Sequence, residues 1–131
     1  MTVEVEGFDE AACEAMWRAY QTDESYEVFR EKAQKAIWFW SLIDERPIGA
    51  VYFEIDPRLD APVIHAAVET PGKAAASLER LIEQGIHRWG SLYAPARVSN
   101  VRACRLAEKF GFRAIAENGD ARLYWRNSWA Q

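Results

Sequence analysis

Basic charge is scarce in this chain of 131 residues: sixteen Lys and Arg stand against twenty Asp and Glu, a formal net charge of −4. A surface of that sign argues against duplex nucleic acid as the main partner. Long apolar runs are missing as well. No stretch approaches the roughly 18 residues of a transmembrane helix, so no membrane partner is expected. The opening residues, Met-Thr-Val-Glu-Val-Glu, are acidic, and no secretory signal is expected. The two cysteines, Cys13 and Cys104, lie far apart and outside any metal-ligand spacing. They read as reduced, buried thiols of a cytoplasmic protein. There is no Cys-x-x-Cys, His-x-x-x-His, Gly-x-Ser-x-Gly or Walker loop, which leaves metal, serine-hydrolase and nucleotide-triphosphate chemistry without support.

What is present suffices for a core. Half the residues are hydrophobic and 13% are aromatic, which excludes global disorder. The length predicts one domain spanning residues 1–131. Charge is unevenly spread: the first 31 residues hold nine acids and two bases, net −7, and the remainder is net +3. Such a split suits a cationic amine at one side and a polyanion at the other, or simply a soluble helix surface.

The patterning predicts a short strand over Thr2 to Glu6. A helix opened by Asp9 or Glu10 follows, with Cys13, Met16, Trp17 and Tyr20 on one face. A second helix puts Tyr26, Phe29 and Ala33 inward. Strands are expected from Ala36 to Ile43 and from Ile48 to Ile55, joined as a hairpin across Asp44 to Pro47. Trp38, Trp40 and Leu42 share a face of the first of these strands. Residues 56–62 read as a loop and Val63 to Val68 as a strand. After a break over Glu69 to Lys73, Leu78, Leu81, Ile82, Ile86 and Trp89 follow helical spacing to Gly90. Leu92 to Val98 reads as an edge or distorted strand, because Pro95 interrupts it. In Ser99 to Phe112, Ala103, Leu106, Ala107 and Phe110 make one helical stripe. Asn100 is placed to cap that helix and Gly111 to end it. Asn118-Gly119 predicts a closing hairpin. Trp125 and Trp129 are candidates for dimer contacts through strand or edge.

The spacing Asn-x-x-Ala-x-x-Leu-x-x-x-x-Gly-Phe, beginning at Asn100, resembles the fourth helix of the GCN5-related N-acetyltransferase (GNAT) family. The order of elements resembles that fold too. The resemblance implies an α+β (α/β) fold with a mixed, mostly antiparallel sheet of six or seven strands. Two helices would lie at the N-terminus and two further along. It implies a transferase using acetyl-CoA as co-substrate, bound between the strands Val63–Val68 and Leu92–Val98. A primary amine, on a small molecule or on a protein lysine or N-terminus, would attack the thioester directly. Family members are frequently homodimers. The turn Pro71-Gly72-Lys73-Ala74-Ala75-Ala76 stands where the family cradles the CoA pyrophosphate, although Pro71 and Ala74 depart from its usual residues. Val68, Gly72, Lys73, Ala74, Ala75, Ala76, Asn100 and Ala103 are the implied cofactor contacts. No metal is implied.

Direct attack needs a neutral amine, so a base is required. Glu54 and His65, on strands that can pair, are the candidates; each also reads as an ordinary strand residue. Asp60 and Glu69 stay open. The tyrosine that the family often uses to protonate the leaving thiolate falls at Ala107 here, and Tyr124, Tyr93 or Cys104 stand in by residue type. Ala74 and Ala107 also suit a second reading, in which a phage-encoded or host-directed protein keeps the shape as a binding or structural component.

Overall fold

A computed structural model describes residues 1–128; Trp129 lies outside the described residues. Among the described residues, seven strands and four helices make a mixed, mostly antiparallel α+β fold, as expected. The elements are β1 (Val3–Glu6), α1 (Glu10–Tyr20), α2 (Tyr26–Gln34), β2 (Trp38–Asp44), β3 (Arg46–Glu54) and β4 (Val63–Val68). They continue with α3 (Pro71–Trp89), β5 (Ser91–Arg97), α4 (Val101–Lys109), β6 (Arg113–Asn118) and β7 (Ala121–Asn127). The chain forms two compact units, one of Met1–Glu54 with His65–Leu81, the other of Ile55–Ile64 with the residues from Ile82 onward.

In the first unit, β1, β2, β3 and β4 are hydrogen-bonded neighbours in that order. Helix α1 begins where the Asp9 side chain accepts from the Ala12 N–H, and α2 where Ser25 accepts from Val28. These caps satisfy donors that a helix start otherwise leaves open. Buried Cys13, Met16, Phe29, Phe39 and Tyr52 join the two helices to one face of the strands. The turn between β2 and β3 is tighter than the four residues expected. Asp44 pairs with Arg46, leaving Glu45 alone at φ 65°. A bulge between Leu42 and Ile43 sets Leu42 opposite Gly49. At Gly49 the chain runs close against β4: a Cβ there would lie 2.3 Å from the Ala67 carbonyl oxygen and 2.7 Å from Val68 Cα. Close backbone approach therefore demands glycine at this position.

In the second unit, β5 pairs with β7 and β7 with β6, all antiparallel, while Val63 of β4 pairs in parallel with Tyr93 of β5. Pro95 does not interrupt β5, contrary to expectation. It stays in register opposite Leu123, and the ladder to β7 runs unbroken from Ser91 to Arg97. A proline is tolerated where its missing N–H faces away from the ladder. The closing hairpin turns one residue later than Asn118-Gly119 implies. Asn118 pairs with Ala121, and Gly119, at φ 61°, is the first of two turn residues. That is the position where a primed turn needs glycine. Trp125 lies on β7, which has a neighbour on both sides, so its backbone is no free edge. Leu92 and Tyr124 are wholly buried, with Cys104, Phe110 and Phe112 nearly so.

Candidate active site

Glu54 is the last residue of β3 and His65 lies on β4. The neighbouring strands bring the two together, with His65 Nε2 2.7 Å from Glu54 Oε1. The other ring nitrogen, Nδ1, lies 3.1 Å from the hydroxyl of Tyr20, the last residue of α1. The Tyr52 ring stacks on the imidazole at 4.8 Å and 24°. His65 is mostly covered, its side chain 17% exposed, whereas the Glu54 side chain is 37% exposed.

For a neutral ring these partners select a tautomer. A carboxylate only accepts, so Nε2 carries the proton and donates to Glu54. Nδ1 is then the acceptor, and Tyr20 donates to it. With the ring neutral, one directed chain runs from the Tyr20 hydroxyl through His65 to the Glu54 carboxylate. Burial, reinforced by the Glu54 charge, pushes the Tyr20 hydroxyl far above its ordinary value, so it stays protonated. Tyr52 is raised as well, again chiefly by burial. Sequence reasoning paired Glu54 with His65 but missed Tyr20 and Tyr52. Both look like core aromatics, and nothing in the pattern of α1 tells a tyrosine with a hydrogen-bonding task from one that only packs.

The two other carboxylates left open have partners elsewhere. Glu69 is held by Arg46 and Arg18, whose hydrogen bonds keep it below its ordinary range. Asp60 accepts from the Tyr93 hydroxyl at 2.7 Å in the second unit.

The stretch expected as a phosphate-cradling loop is instead the first turn and a half of α3, which begins at Pro71. Ala74 is buried and helical, with no positive φ, so replacement of the family's glycine carries no strain. Gly72, Lys73 and Ala76 are exposed, Ala75 is half-buried, and the space around Gly72 is open. No acidic residue stands in that turn. The positive end of a long helix, flanked by small side chains, suits a phosphate group, and the Lys73 N–H there already donates to the Thr70 carbonyl. Lys73 does not point its charge freely outward: its ammonium lies 3.3 Å from Asp44, and the hydroxyl of Thr2 donates to its carbonyl. Val68, at the end of β4, is buried.

In the second unit Asn100 caps α4, its Oδ1 accepting from the Ala103 N–H at 3.1 Å. Tyr124 donates to Glu108 Oε2 at 2.7 Å and accepts from Arg122 at 3.1 Å. Its hydroxyl is pushed up to about 12, first by burial and then by the bond to Glu108. Among the described residues there is no cluster of His, Cys, Asp or Glu fit for a metal ion, and no helix long and apolar enough to cross a membrane.

Residues 8–112 match the family described as Acetyltransferase (GNAT). The match spans most of the chain, and the chain belongs to that family of acyltransferases. Solved structures show the same fold. The ribosomal-protein-S18-alanine N-acetyltransferase of Escherichia coli is 20% identical, with TM-score 0.71, over 95% of this chain and 91% of that one. The Campylobacter jejuni N-acetyltransferase PseH, solved with acetyl coenzyme A, is 15% identical with TM-score 0.69, over 98% and 99%. Spermidine N-acetyltransferase from Vibrio cholerae, solved with CoA and spermine, is 15% identical with TM-score 0.68, over 96% and 95%. No curated protein matches the chain by sequence.

Proposed function

We propose that this protein transfers the acetyl group of acetyl-CoA to a primary amine, with the Glu54 carboxylate, held by His65, taking the proton that the amine must lose. The observation that carries the reading is the 2.7 Å contact between His65 Nε2 and Glu54 Oε1, which holds a part-exposed carboxylate against an imidazole. The relatives support the acceptor class, since their names specify an alanine of ribosomal protein S18 in one case and spermidine in another. They support the co-substrate too, acetyl coenzyme A being bound in PseH.

In this reading the N–H groups at the start of α3, around Gly72, Lys73, Ala74, Ala75 and Ala76, receive the CoA pyrophosphate. Val68, at the end of β4, contacts the thioester arm. The carboxylate of Glu54 draws in the cationic amine and accepts its proton. The neutral nitrogen attacks the thioester carbonyl, the C–N bond forms, the C–S bond breaks, and the CoA thiolate departs while the acylated nitrogen releases its second proton to solvent. Tyr124 is not assigned the task of protonating that thiolate, because its proton is already donated to Glu108 and its side chain is fully buried. A thiolate is a competent leaving group near neutral pH and departs without a dedicated acid. The free, buried thiols Cys13 and Cys104 accord with a cytoplasmic protein.

The test is thiol release from acetyl-CoA in the presence of a primary amine such as spermidine or an alanine-initiated peptide. Glu54→Gln should lower kcat about 100-fold, the scale of a lost general base. Equal kcat in the two proteins would reject the base assignment. Absence of thiol release across a panel of amines would favour the binding-protein reading.

A further inference from the structure

The directed chain at His65 runs one residue further than the proton-transfer pair needs, and the extra member has a definite chemical consequence. Resting on the acetyl-transfer reading above, we propose that Tyr20 is a positioning residue that keeps His65 neutral and so preserves the basicity of Glu54. The argument begins with what an imidazolium would do. A cationic His65 at 2.7 Å would neutralise the carboxylate in an ion pair and make it a poor proton acceptor. Protonation of the ring has to occur at Nδ1, because Nε2 already carries the hydrogen donated to Glu54. Nδ1 is the atom the Tyr20 hydroxyl occupies, at 3.1 Å.

The hydroxyl cannot yield without loss. His65 is its hydrogen-bond partner, and the hydroxyl sits in a covered position. Turning round to accept from an imidazolium would leave its own proton unpaired in the interior, which costs more than an exchange of bonds in water. Two ring contacts hold the tyrosine in place: the Phe29 ring at 6.0 Å and the His65 ring at 6.3 Å, both near edge-on.

The other groups around the imidazole do not compete for the role. From β3 come the stacked Tyr52, which stays protonated, and Glu54 itself. Glu24, in the turn after α1, acts on Tyr52 by its charge and is paired with Lys32. Just after β4 the nearest charge in sequence, Glu69, is neutralised by Arg18 and Arg46. Tyr20 is thus the donor that decides which protonation state of His65 the fold accepts.

Tyr20→Phe tests this while retaining the ring. Removing one neutral hydrogen bond from the uncharged imidazole should move the acidic limb of kcat/KM up by about 0.5 to 1 pH unit. On the plateau kcat should stay within about threefold, because a base freed of protons works as before. An unmoved limb, or one moved to lower pH, overturns the proposal. A second reading needs neither turnover nor the variant. In the 15N spectrum of the unmodified protein, His65 should show protonated Nε2 and a hydrogen-bonded, unprotonated Nδ1 at neutral pH, and its titration should rise in Tyr20→Phe. Finding the Nδ1–H form, or an unchanged titration, refutes the role of Tyr20. Finding the expected tautomer in a protein that releases no thiol would leave Tyr20 as proposed and discard the transferase reading instead.

Discussion

Replacing Gly49 by alanine should be among the most damaging single-methyl changes available in this chain. The added Cβ would lie 2.3 Å from the Ala67 carbonyl oxygen, 2.6 Å from Val68 Cγ1 and 2.7 Å from Val68 Cα. Two of those three neighbours are backbone, so relief requires β3 and β4 to part by about 1 Å rather than a side chain to swing aside. Overpacking of this kind costs about 3 kcal/mol. Unfolding entropy for 131 residues is about 0.28 kcal/mol/K, so Tm should fall by about 11 °C. Gly72→Ala is the matched control: nothing lies within 4 Å of its added carbon, and its position in the first turn of α3 favours alanine. Its Tm should rise by about 2 °C, from about 0.5 kcal/mol of reduced freedom in the unfolded chain. Calorimetry or circular dichroism on the two variants gives the comparison. A fall of less than about 3 °C for Gly49→Ala would show that β3 and β4 are not packed as tightly as described, and the placement of Glu54 beside His65 would be open to revision with it.

Two further outcomes follow from contacts outside the proton-transfer pair. Tyr124→Phe removes the bonds to Glu108 and Arg122 and should cost about 1 kcal/mol, or about 4 °C in Tm, with kcat unchanged within twofold; a large loss of kcat at unchanged Tm would restore Tyr124 as the acid. Glu4 is held below its ordinary value by hydrogen bonds from Arg80, against an opposing effect of burial, and Ser77 adds to the lowering. Because its folded value is depressed, the stability it contributes is full above its ordinary value of 4.5 and is lost as pH falls through the lower folded value. Denaturant unfolding of Glu4→Gln between pH 6 and pH 3 should therefore show a flatter acid side than the parent protein, and parallel curves would contradict the assignment.

Much of this fold could be read from residue pattern alone, and the exceptions have identifiable causes. The strand Val63–Val68 appears with the bounds that its apolar and small residues suggest. Helix α4 starts at the Asn100 cap and stops before Gly111, which has φ 87°. Both ends are set by local chemistry that one or two residues determine. The start of α3 was less visible, because proline and glycine together look like a break. Proline is in fact suited to a first helical turn, where its missing N–H has no partner to lose. Pro95 misled for a related reason: whether a proline harms a strand depends on which side its nitrogen faces, and that is a property of the partner strands. At the candidate site, the pairing of Glu54 with His65 was open to inference from two adjacent strands. Tyr20 was not, since its hydroxyl acts across 45 residues of sequence and its ring fits the apolar stripe of α1.

Acetyl-CoA binding tests the central claim most directly, by thermal unfolding with and without the thioester. At 100 times its dissociation constant the ligand should add about 2.7 kcal/mol of stability, raising Tm by about 10 °C. An unchanged Tm at millimolar acetyl-CoA would contradict the account.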